Sequence, residues 1–296
     1  MRIVVAGNFN ERKAGANFYA TVRKLANGFT RNEHMVIAFS DRDVAREQGR
    51  FGFGRAGDGE ANRRLVALCR QFRPELLVLV HADKITNATL AEIKAVPSAP
   101  RVAVINLDPI FLPENPPRIR RFGEIADITF ITTADKKLES FSTPTHRMTF
   151  MPNPTDRSIE GHECFGRADQ PVDLFCSIGS EKGTPWRADG VGPVFGADYF
   201  DAIGDARMGL NLNRSDEDYL YSSDRLAQFA GNGLLTFVAR SSGYGDIFSD
   251  DEFAFYDGPD DLAQRLRHYL AHDDERRAVA EKGHAKYHAL FNERIV

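Results

Sequence analysis

The first half of the chain carries a series of short apolar runs, Ile3–Ala6, Met35–Phe39, Leu76–Val80, Arg101–Ile105 and Ile128–Ile131, set apart by segments of helical spacing. Runs that are apolar on nearly every residue, rather than on alternate ones, belong to strands buried on both faces. Between them, Asn17–Asn27, Glu60–Phe72, Thr89–Val96 and Arg118–Ile125 repeat apolar residues at the helical period, with Gly28 as an expected stop for the first. Alternation of this kind predicts a parallel sheet with helices on both sides. Ligands of such sheets gather beyond the carboxyl ends of the strands.

A further strand is expected near Met148, followed by an exit stiffened by Pro152 and Pro154, neither of which continues a helix or a central strand. This point divides the chain into an expected first domain of residues 1–152 and a second of 153–296. The second domain opens on Val172–Ile178 and a glycine turn at Gly179, then continues through Met208–Leu212, a short helix ending at Gly231-Asn232-Gly233, and the strands Leu234–Val238 and Phe253–Tyr256. Two amphipathic helices, Pro259–Leu270 and Asp274–Phe291, close it. Residues 181–193 are rich in Gly and Pro where a full helix and strand are expected, so the second domain reads as shortened. Phe51-Gly52-Phe53-Gly54 reads either as a ligand-side loop with exposed aromatics or as a hydrophobic plug.

Composition narrows the function classes. A formal net charge of −4 over 296 residues offers no whole-chain attraction to nucleic acid or anionic lipid, so any anion site must be local. The three cysteines, Cys69, Cys164 and Cys176, have neither CxxC spacing nor an even count, which points away from a disulfide framework and a structural zinc and toward the cytoplasm. No apolar run approaches the roughly 20 residues that span a bilayer. Arg118, Arg120 and Arg121 form a basic cluster with two open readings, a solvated helix face or a peripheral contact with an anionic glycolipid or membrane surface.

Polar residues follow the strands of the first half: Gly7-Asn8, Ser40–Asp43, His81–Asp83 and Asn106–Asp108. Each is also the residue type that caps helices and makes turns. Together they place His81, Asp41 and Asp108 on one rim as competing candidates for a general base, His81 because imidazole exchanges a proton near neutrality. In the second half, Ser222, Ser223 and Asp224 can cap a helix whose first turn holds Arg225. Free amides and a guanidinium at a helix start suit an anion such as a pyrophosphate. Ser241-Ser242-Gly243 and Gly245 read as a mobile loop over the phosphates or as an ordinary surface loop.

The ordered series Pro152-Asn153-Pro154, Leu210-Asn211, Tyr221-Ser222-Ser223-Asp224-Arg225, Gly231-Asn232-Gly233, Asp257 to Leu262 and Glu275 to Gly283 resembles two-domain glycosyltransferases of the GT-B fold, near the CgeB-like and bacterial group-1 families. The resemblance implies an α/β protein of two Rossmann-like domains with a shortened C-terminal one. The first would be acceptor-binding and the second nucleotide-sugar-binding. It implies a metal-independent, hexosyltransferase-like enzyme that needs no cofactor and moves a sugar from a nucleotide-diphosphate donor to a glycan, glycolipid or protein acceptor of the cell envelope. The donor residues it implies are Gly179, Asn211, Arg214, Tyr221, Ser222, Ser223, Arg225, Gln228 and Gly243. Gln228 departs from the family, which commonly has an acid there; a neutral amide still hydrogen-bonds a ribose hydroxyl, though less strongly. With the shortened second domain, this keeps open a non-catalytic GT-B-like binding protein, or another nucleotide-sugar enzyme such as an epimerase. A dinucleotide oxidoreductase is a weaker reading, because Gly7-Asn8-Phe9-Asn10 is not the glycine pattern that fold uses.

Overall fold

The computed structural model describes residues 1–47, 55–177, 194–213 and 218–296, and they form two units, Met1–Pro152 with Glu293–Val296, and Asn153–Asn292. The expectations placed on Gly179, Arg214, Phe51–Gly54 and residues 181–193 lie outside the described residues.

In the first unit, β1 (Arg2–Gly7), β2 (Met35–Ser40), β3 (Leu76–Val80), β4 (Arg101–Asn106), β5 (Ile128–Ile131) and β6 (Arg147–Phe150) form one sheet in the order β2-β1-β3-β4-β5-β6. Every pairing is parallel. The continuous apolar character of the strands follows from what covers them. Val4, Ala6, Leu77, Leu79 and Val102 pack on one face with Leu65, Leu90 and Phe122, while Ile3, Val5, Val78 and Val80 pack on the other with Val22 and Leu25. Each large aliphatic side chain buried this way contributes roughly 1.5–3 kcal/mol.

Helices α1 (Thr21–Arg31), α2 (Asp41–Glu47), α3 (Arg55–Phe72), α4 (Asn87–Lys94) and α5 (Asn115–Gly123) connect the strands. Their starts are chemically legible: the Thr86 hydroxyl accepts from Thr89 N at 3.2 Å to cap α4, and α5 opens on Pro116 and Pro117, whose missing N–H groups would be unused there anyway. Helix α1 differs from the expectation. It starts four residues late and runs through Gly28 rather than stopping at it. A Cβ on Gly28 would lie 1.7 Å from the Glu293 carbonyl oxygen, so the glycine serves the close passage of residues 293–294 over the helix. Arg31 to Glu293 (2.6 Å) and Asn32 to the Arg294 carbonyl (2.8 Å) fasten that passage.

In the second unit, β7 (Val172–Phe175), β8 (Ala206–Asn211), β9 (Leu235–Ala239) and β10 (Ala254–Tyr256) make a parallel sheet in the order β10-β9-β8-β7. It is shorter than the first among the described residues. Helices α6 (Ala197–Gly204), α7 (Asp224–Gly231), α8 (Gly258–Ala271) and α9 (Asp273–Leu290) pack on it. Met208, Leu210, Leu235, Phe237 and Tyr256 bury one face against Tyr269 and Val279. On α7, Phe229 is fully buried and presses on Gly209, where a Cβ would meet its ring at 2.7 Å. The glycine inside β8 is therefore the seat of an aromatic ring. The architecture is α/β with two Rossmann-like sheets, the second short, as the sequence leads one to expect.

Candidate functional site

Two polar rims stand at the carboxyl ends of the two sheets, one in each unit. In the first unit, His81 follows β3 directly with φ 50, a left-handed backbone uncommon for a residue with a side chain. His81 Nε2 lies 2.9 Å from Asp108 Oδ2. Arg118, on α5, reaches the same oxygen with Nη2 at 2.6 Å and approaches His81 Nε2 with Nη1 at 3.3 Å. Its Nη2 also meets Asn106 Oδ1 (3.1 Å) and Asn115 Oδ1 (2.8 Å). Asn115, with no exposed surface, receives Asn106 Nδ2 and donates to the carbonyls of Asp108 and Pro109.

The loop that carries Asp108 is thus tied to the base of α5 by amides. The hydrogen bond from His81, and behind it Arg118, hold the Asp108 carboxyl well below the usual carboxylate range against the opposing effect of burial. His81 Nδ1 is buried with no hydrogen-bond partner among the described residues. Of the three candidate bases, His81 and Asp108 are brought together and Asp41 is not part of their cluster.

Asp41 is sealed instead of presented. It has no exposed surface, accepts from the Lys84 amide at 3.3 Å, and burial raises its carboxyl to about 6. Beside it on α2, Asp43 accepts from Ser40 and from the Glu11 amide. Asp83 is occupied by a paired contact with Arg42 at 3.0 and 3.1 Å. These acids are thus occupied inside the fold by loop amides, a hydroxyl and a guanidinium.

In the second unit, a cleft of about 300 Å3 opens where β8, β9 and β10 end, lined by Leu212, Asn213, Ala239, Ser241, Tyr256, Asp257 and Gly258. Its size is at the lower end for small-molecule sites. Ser223 caps α7, accepting from Leu226 N at 3.3 Å and donating to Asn211 Oδ1 at 2.7 Å. Asn211 donates in turn to Asn213 Oδ1 at 3.1 Å, and Asn213 Nδ2 is buried with no partner among the described residues. Arg225 is half-buried and donates to the carbonyls of Ser177, beyond β7, and Leu212, beyond β8. It spans two strand ends at the rim instead of trailing into solvent. A guanidinium has five N–H donors, and two carbonyls take only part of that set.

Four expected donor residues have other occupations. Ser222 is buried, its hydroxyl and carbonyl taken by Asn153 N (2.9 Å) and Asn153 Nδ2 (2.8 Å), so it anchors the chain where the second unit begins. Tyr221 is 7% exposed and does not line the cleft. Gln228 is 4% exposed and its Oε1 accepts from the Tyr199 hydroxyl at 2.6 Å, a contact internal to the second unit. Gly243, at φ 78, lies under the Tyr219 ring between two 3-10 turns, and the Ser242 carbonyl holds the Leu220 amide at 2.8 Å. Asn213 lines the cleft and was not singled out as a ligand, although it sits two residues past Asn211; Ser241, from the loop expected over the phosphates or at the surface, lines it too.

The three arginines of the basic cluster on α5 have different neighbours. Arg118 is bound within the rim, Arg120 lies over Phe141 at 4.9 Å and Arg121 over Phe122 at 4.3 Å. No helix among the described residues is long and apolar enough to cross a membrane. Among the same residues no three His, Cys, Asp or Glu side chains are grouped as a metal would need.

Comparison with solved structures defines the fold. Sucrose-phosphate synthase from Thermosynechococcus elongatus is similar over 99% of this chain and 95% of its own, with TM-score 0.61 and 13% identity. Anabaena HepE in complex with UDP and glucose is similar over 99% and 96%, with TM-score 0.58 and 12% identity. A DNA-modifying β-glucosyltransferase, studied with and without uridine diphosphoglucose, is similar over 98% and 95%, with TM-score 0.53 and 11% identity. At these identities the likeness is one of fold, and the fold is GT-B. Residues 162–294, the stretch that holds the cleft and Arg225, match the family described as glycosyl transferase-like. No curated protein matches the sequence significantly.

Proposed function

We propose that the protein is a nucleotide-sugar glycosyltransferase whose second unit holds a nucleotide-diphosphate sugar at the cleft beyond β8–β10, and whose first unit receives the acceptor at the His81 and Asp108 rim. The observation that carries this reading is Arg225. Its guanidinium is fixed by two main-chain carbonyls at the strand ends of the unit that matches the glycosyl transferase-like family. A cation held at such a place stabilises charge growing on a leaving diphosphate, the electrostatic part of sugar transfer. Asn213 Nδ2, buried at the cleft with no partner among the described residues, is a ready donor to the same ligand.

UDP-sugars are the first donors to try, since HepE binds UDP and glucose and the β-glucosyltransferase has uridine diphosphoglucose as substrate. The finer reading is a metal-independent hexosyltransferase of CgeB-like kind, acting in the cytoplasm on a glycan, glycolipid or protein of the cell envelope. Asn211 and Ser223 shape the donor rim, and Gly179 and Arg214 belong to the donor set that the family resemblance implies. The test is a thermal-shift panel of UDP-, GDP-, ADP- and CMP-linked sugars. One of them raises the melting temperature, and Arg225→Ala removes most of that rise. A panel in which none stabilises the wild-type protein removes the proposal.

A further inference from the structure

We propose that Asp108 is the residue of the first unit that takes a substrate hydroxyl, through Oδ1, and that Arg118 is the positioning residue that keeps it ready to do so. The inference rests on the glycosyltransferase reading and deepens it.

The geometry separates the three acidic and basic groups of the rim by what they can still do. Asp41 is fully buried and offers no atom to a ligand. His81 turns Nε2 to Asp108 and Arg118 and buries Nδ1, so in this arrangement neither ring nitrogen is presented outward. Asp108 is different, because both its contacts converge on one oxygen: His81 at 2.9 Å and Arg118 at 2.6 Å both meet Oδ2. Its side chain is 35% exposed, and among the described residues no donor meets Oδ1. A carboxylate clamped through one oxygen presents the other in a fixed direction as a hydrogen-bond acceptor, which is the chemistry that orients a sugar hydroxyl.

The clamp also sets the charge. The groups facing Asp108 are His81 from the end of β3 and Arg118 from α5; Asp83 lines a small crevice with His81 and Arg118 and is itself paired with Arg42. With an imidazole and a guanidinium on one carboxylate, the group stays ionised to low pH, consistent with its depressed proton affinity. Such a carboxylate is a poor proton acceptor and a strong hydrogen-bond acceptor. Its part is therefore to hold and orient the hydroxyl. Arg118 never needs to touch substrate. Asn106 and Asn115 fix its Nη2 from the other side, so the guanidinium cannot swing away.

The experiment uses the full chain and has two arms. In the first, the carboxyl carbon of Asp108 is followed by NMR as pH is lowered. The wild-type group stays ionised throughout the ordinary carboxylate range, whereas in Arg118→Gln it titrates at distinctly higher pH. Titration of the wild-type group near 4, the usual Asp value, overturns the inference whatever the enzyme does. In the second arm, the donor of the panel with the fastest hydrolysis is used with methyl α-glucoside as acceptor. Asp108→Asn lowers kcat/KM for the acceptor about 10- to 100-fold, the effect expected for a lost bond to a charged group, with donor KM nearly unchanged. Arg118→Gln reproduces part of that loss with donor KM nearly unchanged, because the carboxylate loses a contact that fixes its direction. Arg118→Lys restores most of the activity. Turnover with an unchanged acceptor kcat/KM in Asp108→Asn refutes the role of Asp108 and leaves the glycosyltransferase reading standing. Absence of turnover with every donor removes that reading, and the inference with it.

Discussion

The two rims are built from opposite materials. In the first unit, polar side chains bind one another: Asp108, Arg118, Asn106 and Asn115 form one network of amides and charges, and Asp41 is buried apart from them. In the second, the Arg225 guanidinium is held by main-chain carbonyls, and the helix that carries it is seated by an aromatic ring against a glycine. A rim made of mutually bonded side chains has its charges set by neighbours, so it responds to pH. A rim suspended from backbone and packing has its geometry set by the core, so it responds to cavities.

The largest effect expected from that contrast is Phe229→Ala. Phe229 has no exposed surface, sits on Gly209 and meets Phe175 edge-on at 5.8 Å. Removing the ring leaves a cavity under α7 and costs about 3–5 kcal/mol by urea unfolding. Because Arg225 lies one turn earlier on the same helix, the donor-induced thermal shift should fall with it. A loss under about 1 kcal/mol would mean that packing does not hold this rim.

Asp41→Asn tests the other side of the contrast and carries a sign. The folded carboxyl is raised from the model-peptide value of 3.8 to about 6, with desolvation as the leading cause. Its contribution to stability is therefore complete below about pH 4 and is lost as pH rises through about 6. At pH 8 the ionised buried group burdens the fold by at most about 3 kcal/mol, from the shift in pH units. The amide removes that burden. Asp41→Asn should raise the urea midpoint at pH 8 and leave it nearly unchanged at pH 4; an equal change at both pH values would show that ionisation is not involved.

What was legible in the sequence is what is local. Leu76–Val80 and Ile128–Ile131 are strands with the bounds their apolar runs suggest, because periodicity and β-branched content are properties of neighbouring residues. The cap at Ser223 and the placement of Arg225 in a first turn were legible for the same reason. Gly28 was misread as a helix stop because its partner, Glu293, is remote in the chain. Ser222 looked like a ligand residue because nothing nearby announces Asn153, 69 positions away. Asp41 and Asp108 have the same side chain and similar positions after strands, yet one is sealed and one is presented. That difference arises from what packs over them, which no local pattern encodes.

Gln228 provides the smallest and most discriminating effect. The glycosyltransferases that the sequence resembles commonly have an acid at this position, but here the amide oxygen is bound to the Tyr199 hydroxyl at 2.6 Å inside the second unit. If that contact is the whole of its role, Tyr199→Phe leaves one buried acceptor unsatisfied and costs about 1–2 kcal/mol, while the donor-induced thermal shift stays as in the wild type. Replacing both partners by apolar groups, Tyr199→Phe with Gln228→Met, should recover most of that loss, since two matched polar groups are removed together. The pair of variants thus separates packing from binding at a single side chain. A donor shift that disappears in the double variant but survives in Tyr199→Phe would put the Gln228 amide on the nucleotide, and the second rim would then depend on a side-chain ligand as well as on its backbone and core.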